Sequence, residues 1–177
     1  SINTHGEVIC RGANQCGQSA PGFTTDNLAT RFIIEDVVDA IDLTSSAQNT
    51  CAATRAGTTW CWGDLQFLEI PSLCRPSPPQ IMEDVRDAWL LSANARSVLA
   101  LERDGTVVQW GVGWQGTEVS PPRPVDLPEA ATQITSAVDT HCALLASGQV
   151  ACWGKHRGVA AGPGTQAALV AHLSDVV

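Results

Sequence analysis

Charge is scarce in this chain, and basic charge is scarcest. Charged residues fill 16% of the 177 positions, with 10 Lys plus Arg against 18 Asp plus Glu and a net charge of −8. The densest basic spot is Lys155-His156-Arg157, too short to track a phosphate backbone, so nucleic acid is excluded as a partner. No apolar stretch approaches the ~18 residues of a membrane span, and no charged-then-apolar leader is legible at the N-terminus. Ser1 is therefore expected to begin a processed, trimmed or cut chain. Enzyme signatures are missing as well: no Gly-x-Ser-x-Gly elbow, no His-Glu-x-x-His and no dinucleotide fingerprint. Gly148 to Lys155 has its Gly and Lys at the wrong spacing for a phosphate loop, with His156 where Ser or Thr is needed. Close carboxylates (Asp36/Asp39, Glu83/Asp84, Glu102/Asp104) fall at strand starts and turns, where solvated charge is the ordinary role. Structural zinc favours two close Cys-x(2–4)-Cys knuckles. Here the cysteine spacings are longer, and His5, His141, His156 and His172 are scattered. The expectation is a non-enzymatic chain without catalytic residues, cofactor or metal.

What is present is a repeat. Gly57-Thr58-Thr59-Trp60-Cys61-Trp62-Gly63 returns as Gly105-Thr106-Val107-Val108-Gln109-Trp110-Gly111 and as Gly148-Gln149-Val150-Ala151-Cys152-Trp153-Gly154. A weaker copy, Gly6-Glu7-Val8-Ile9-Cys10-Arg11-Gly12, stands near the start, so the Gly-to-Gly intervals are 51, 48 and 43 residues. Each copy reads as a turn feeding a strand. A second short run precedes each turn (Cys51–Ala53, Leu99–Leu101, Cys142–Leu145), which predicts a β-hairpin. Earlier still lie Asp36–Ile41, Asp84–Trp89 and Ala131–Ile134, apolar at alternate positions as half-buried strands should be. Three or four strands per unit of roughly 45 residues predict β-propeller blades and an all-β fold of four-stranded antiparallel sheets.

Asp-Val-Val-x-Ala-Ile, Thr-His-Cys-Ala-Leu-Leu and Gly-x-Val-x-Cys-Trp-Gly, followed by a Pro-containing loop, resemble the repeats of the regulator of chromosome condensation (RCC1) family. The resemblance covers nearly the whole chain, most cleanly residues 35 to 154. Gly12-Ala13-Asn14-Gln15-Cys16-Gly17-Gln18 is similar to the family's Gly-x-Asn-x-x-Gly-Gln loop. Later loops have lost that form, which makes this a divergent, bacterial-type version carrying cysteines. The resemblance implies a seven-bladed ring, and seven such units need roughly 330 residues. About 3.5–4 blades are expected in this partial propeller. They comprise a partial blade (1–34), full blades at 35–82, 83–128 and 129–173, and the start of another at 174–177. Within the first, residues 13 to 31 read as a loop and Phe32-Ile33-Ile34 as an outer strand. Pro76-Ser77-Pro78-Pro79 and Pro121-Pro122-Arg123-Pro124 read as loops, because such runs forbid a central strand. Val176-Val177 copies Val37-Val38 and is expected either to join residues 6 to 12 in a four-bladed ring or to complete a blade on a second chain.

Seven cysteines give the sharpest chemical signal. Cys51/Cys61 and Cys142/Cys152 share a spacing of ten on the same hairpin, while the third unit replaces both members together, with Leu99 and Gln109. Paired loss is what a bond predicts. Opposed Cβ atoms on adjacent antiparallel strands come within bridging distance, so Cys51–Cys61 and Cys142–Cys152 are expected disulfides. Cys16 and Cys74 lie in successive loops and are a possible pair, with Cys10–Cys16 as the rival. Cys10 stands where Cys61 stands, and its cross-strand partner would lie immediately before Ser1. Disulfides in this number imply an oxidising compartment: periplasmic, secreted or cell-surface.

Trp62, Trp110 and Trp153 recur with the repeat and are expected to pack between blades; Trp60, Trp89 and Trp114 do not recur. His141 occupies the position of the family's strand histidine and is expected to be hydrogen-bonded and structural. Function in such a fold lives in loops. The candidate partner-binding residues are Trp114 and Gln115 of the Gly113–Gly116 loop, with Pro78 and Pro122 of the Pro-rich segments. The best reading is a non-catalytic protein-binding or scaffold module. Its partner would be another protein or a second propeller-half chain, a homodimer included. A guanine-nucleotide exchange factor and an accessory fragment of a larger processed enzyme are the alternatives.

Overall fold

Each repeat is built on a hairpin whose glycine has two duties. At Gly57 the chain turns with φ of 83°, which L side chains rarely adopt. A Cβ there would also lie 3.1 Å from the Cα of Asp87 in the next unit. The close approach lets the Gly57 carbonyl accept the Asp87 N–H at 3.0 Å. The Gly6 and Gly105 carbonyls accept in the same manner from Ala40 and Ala131, each at 2.9 Å and one residue further along the following unit. The repeated glycine thus closes one hairpin and docks it on the following unit.

The computed structural model describes residues 1–67, 74–112, 118–154 and 167–170, and these form strands and turns with no helix. There are four antiparallel sheets. β1 (Ile9–Asn14) pairs with β2 (Thr25–Ile33). β3 (Ala40–Ser45), β4 (Asn49–Thr54), β5 (Thr59–Asp64) and β6 (Pro76–Ile81) form the second sheet in chain order. β7 (Ala88–Ala93), β8 (Ser97–Glu102), β9 (Val107–Val112) and β10 (Val119–Pro124) form the third. β11 (Ala131–Ala137), β12 (Thr140–Leu145), β13 (Val150–Gly154) and β14 (Ala168–Leu169) form the fourth. This is a partial β-propeller.

Strand alternation gives the second and third sheets two apolar faces, and three clusters fill the spaces between sheets. Val8, Ile34, Val37, Ala52 and Trp62 pack between the first and second sheets. Cys51, Ala53, Cys61, Val98, Val108 and Trp110 pack between the second and third. Leu99, Leu101, Val107, Leu145 and Trp153 pack between the third and fourth. The three recurring tryptophans are therefore the large side chains of the interfaces, all under 5% exposed. Burying such a ring contributes roughly 2–3 kcal/mol.

The structure corrects the sequence reading in three places. The first strand of each unit starts about four residues later than its alternation suggests for Asp36–Ile41 and Asp84–Trp89, at Ala40 and Ala88. Val37 and Val85 are buried as plugs between sheets, from turns that end at Asp39 and Asp87 with φ of 52°. Residues 13 to 31 are not one loop, since β1 runs to Asn14 and β2 begins at Thr25. The Pro-rich segments are not loops either: they are the outer edge strands β6 and β10. Both ladders are broken by a bulge, between Gln80 and Ser77 in one and between Arg123 and Ser120 in the other. Pro78, Pro79, Pro121 and Pro122 fall within those bulges, where no N–H is needed for pairing.

Candidate functional site

The cysteines come together as disulfides. Cys51 faces Cys61 and Cys142 faces Cys152 in the strand register, and each pair is bonded with Cα atoms 4.1 Å apart. Cys16 is bonded to Cys74 with Cα atoms 5.2 Å apart, tying the loop after β1 to the segment before β6. Cys10–Cys16 does not form, and Cys10 is a free thiol. Burial pushes its pKa up, with the Ser1 ammonium pulling it partly back. The Cys51–Cys61 bond is fully covered by the third sheet, whereas Cys142 is only half-buried.

The position left by the missing third pair is put to use. Gln109 sits opposite Leu99, and its Oε1 accepts the indole N–H of Trp153 from the next sheet at 2.8 Å. Trp62 makes the equivalent bond to the Gln18 carbonyl at 2.9 Å. That carbonyl also accepts from Thr50 Oγ1 at 2.8 Å, and the Gln18 amide donates to the Ala47 carbonyl at 2.8 Å. Asn14, fully buried, holds this loop by accepting the N–H groups of Ser19 and Ala20. The Gly-x-Asn loop is thus a clamp between sheets. The sequence marked Asn14 and Gln18 only through the loop motif, and nothing in it marked Gln109 beyond the loss of a cysteine.

His141 joins the third and fourth sheets. Its Nε2 lies 2.9 Å from Ser97 Oγ and 3.4 Å from Asn94 Nδ2, and its Nδ1 lies 2.9 Å from Ser136 Oγ. Burial lowers its pKa from 6.5 to about 4, so the ring is neutral near neutrality. Ser97 beside His141 has the atoms of a nucleophile and a base, yet Ser97 is 2% exposed and the Nδ1 partner is a hydroxyl rather than a carboxylate. The constellation is a brace between sheets.

Of the residues expected to meet a partner, Trp114 and Gln115 lie outside the described residues. Pro78 is exposed and Pro122 half-buried, both on outer edge strands. Trp89, 38% exposed, is the extra residue of the bulge between Ala88 and Leu90, a place held by Ile41 and Thr132 in the equivalent bulges of the neighbouring units. Among the described residues no cluster of three or more His, Cys, Asp or Glu could hold a metal ion. No helix among them is long and apolar enough to cross a membrane.

One cavity, of about 680 Å³, lies between β1 and the second sheet. Cys10, Arg11, Gln18, Arg31, Leu43 and Thr50 are among its lining residues, and no carboxylate is.

No family model matches the chain, and no curated protein matches it in sequence. Solved structures do match. Human WBSCR16 superposes with a TM-score of 0.77 at 16% identity, over 95% of this chain and 48% of the other. Prp20p of Saccharomyces cerevisiae gives 0.66 at 13% identity, over 94% and 50%. Yeast RCC1 (Prp20), solved bound to Kap60, gives 0.63 at 17%, over 86% and 38%. The chain thus spans about half the length of these structures or less. Stacked four-stranded sheets, repeated docking glycines and these superpositions together give the chain the fold of an RCC1-type β-propeller.

Proposed function

We propose that this chain is a non-catalytic protein-binding and scaffold module of an RCC1-like propeller that works in an oxidising compartment, secreted, periplasmic or at the cell surface. Its functional unit is one propeller segment, residues 1–177, with blades at 35–82, 83–128 and 129–173 and a partial blade at 1–34; the further partial blade expected at 174–177 lies outside the described residues. The observation that carries the reading is the set of three disulfides placed on a stack of sheets. Disulfides persist where no reducing pool removes them. They hold a platform whose turns and outer strands are free to vary. The yeast RCC1 structure with Kap60 is a precedent for a propeller of this fold engaged by another protein. The partner here is a protein, either a polypeptide supplying further blades or a second copy of this chain. The Trp114–Gln115 loop and the strands bearing Pro78 and Pro122 are the contacts to vary first.

Two measurements test this. Thiol titration of the unfolded, non-reduced protein should find one thiol among the seven cysteines. Finding all seven in protein isolated from its source without reductant removes the oxidising-compartment reading. Light scattering on a sizing column then gives the native mass. Two chains, or one chain with a stoichiometric second polypeptide, supports the module. A lone chain that binds nothing from its own compartment sinks it.

A further inference from the structure

Six of the ten prolines lie on two outer strands, three on β6 and three on β10. The register shows that they repeat. Ser77 pairs with Gly63 and Ser120 with Gly111, while Gln80 and Arg123 face the equivalent Cys61 and Gln109. Both strands therefore carry Ser-Pro-Pro at the same place, in the bulge of two successive sheets. The first proline of each pair, Pro78 or Pro121, is exposed, and the second, Pro79 or Pro122, is half-buried. A proline ring holds φ at about −65°, and a following proline keeps the residue before it extended. Ser-Pro-Pro is thus held as polyproline II, and neither of its prolines is paired across the bulge.

What these edges can offer follows from the rings. Three of the six residues in each strand have no N–H, so a further strand laid against either edge would meet carbonyls with few donors between them. That disfavours strand addition and leaves pyrrolidine rings and carbonyl acceptors as the features a partner can read. The two segments are also fixed in place. Cys74, two residues before Pro76, is bonded to Cys16, and a Cβ on Gly17 would lie 2.9 Å from the Cβ of Pro76. At the far ends the Met82 N–H donates to the Thr59 carbonyl at 2.9 Å and the Val125 N–H to the Val107 carbonyl at 2.8 Å. Little chain is left to order on binding. Charge adds an independent sign. In a chain of net charge −8, the two segments carry the exposed Arg75 and Arg123, and residues 75–81 and 119–124 contain no carboxylate.

We infer that the outer edges of the second and third sheets are a pair of preformed polyproline-II ligands for a protein domain with an aromatic-lined groove and an acidic rim. The exposed rings of Pro78 and Pro121 pack on the partner's aromatic side chains. Its indole N–H or phenol O–H groups donate to carbonyls of the proline segments, and its carboxylates face Arg75 and Arg123. Each of the two sheets carries one copy, so one chain engages two such domains or a tandem pair. The inference rests on the reading of this chain as a protein-binding module, and it adds a partner distinct from any polypeptide that supplies blades.

The test titrates the full, non-reduced chain with an isolated WW domain and an isolated SH3 domain, two folds that read polyproline II through aromatic grooves. Calorimetry should find at least one of them bound at two domains per chain. The stoichiometry should fall to one in Pro78→Ala/Pro79→Ala and in Pro121→Ala/Pro122→Ala, and binding should be lost in the fourfold variant. A tandem of the binding domain should hold the native chain at least roughly tenfold tighter than the single domain does. Arg123→Gln should weaken binding at low salt and much less at high salt. Because the fourfold variant could fail to fold, a synthetic peptide of residues 119–124 is used as a competitor. It should displace the chain from the domain, whereas the same peptide with both central prolines replaced by alanine should not. The inference is overturned if neither domain binds the native chain, or if the fourfold variant binds as well as the native chain does. Aggregation of that variant with no competition by the peptide also overturns it, since the prolines would then only guard the edge. So does a native dimer that the proline substitutions dissociate, which would make a second copy the occupant. If the thiol count and native mass come out as proposed while neither domain binds, only this inference is lost.

Discussion

Acid should loosen the joint between the third and fourth sheets before neutral pH shows any weakness there, and His141 is the reason. An unfolded histidine binds its proton near 6.5, whereas the folded one, desolvated among Ser97, Ser136, Asn94 and Trp153, does so only at about 4. Between these values the unfolded chain holds more protons, so stability rises with pH across the window and is flat above it. The His141 contribution is complete above 6.5, falls by about 2 kcal/mol by pH 5 and by about 3 kcal/mol near pH 4. Urea unfolding at a series of pH values measures this, comparing the native chain with His141→Gln. The variant is less stable at neutral pH, having lost part of a buried network, but its stability should be flatter from about 6.5 to 4. The difference between the two curves removes groups common to both, Glu102 among them, whose carboxyl burial pushes up. Parallel curves would refute the argument, because they would mean that His141 protonates equally well in the folded and unfolded chains.

The other predictions concern the joints between sheets. Gln109→Leu should cost about 1–3 kcal/mol in thermal or urea unfolding by stranding the buried Trp153 indole N–H. Replacing Cys16 and Cys74 by serine should cost about 4 kcal/mol, against about 3 kcal/mol for Cys51 and Cys61, because the loop closed spans 58 residues rather than ten. Equal losses on calorimetry would tell against a chain-entropy origin. Graded reduction followed by alkylation and mass spectrometry should open Cys142–Cys152 before the fully buried Cys51–Cys61. Gly105→Ala should destabilise by about 2 kcal/mol or more, since the added Cβ would sit 2.5 Å from that of Ala130 at a φ of +88°.

How far the sequence could be read followed from which forces leave a periodic mark. The docking glycines and interface tryptophans recur because every blade meets its neighbour in the same way, so hairpins, sheets and two disulfide pairs were legible from spacing. Val37 and Val85 misled because burial of a turn residue between two sheets produces the same alternation as a strand. The prolines misled in the other direction. A run such as Pro76–Pro79 cannot enter a central strand, but an edge strand with a bulge removes the need for the missing N–H groups. His141 was legible in kind, as a structural histidine, although Ser97 and Ser136 lie 44 and 5 residues away and nothing local tied them to it. The expected contacts Trp114 and Gln115 fall outside the described residues, so the proposed binding surface rests on its edge strands.

The third hairpin shows why cysteine pairs and interface tryptophans belong to one problem. Position 61 and position 109 are equivalent, and each points from its sheet toward the tryptophan of the next. Where the position is Cys61, the strand pair is held covalently, and the facing Trp110 has no partner for its Nε1 among the described residues. Where it is Gln109, the strand pair gives up its covalent bond, and the facing Trp153 gains an acceptor at 2.8 Å. One arrangement stiffens the hairpin and leaves a buried donor unmet; the other leaves the hairpin to its ladder and satisfies the donor. These effects are of similar size, about 3 kcal/mol for a short-loop disulfide against about 1–3 kcal/mol for a buried donor. Neither arrangement therefore has to dominate along the repeat. A blade that loses its cysteines can keep its interface, provided the residue facing the next tryptophan carries an acceptor.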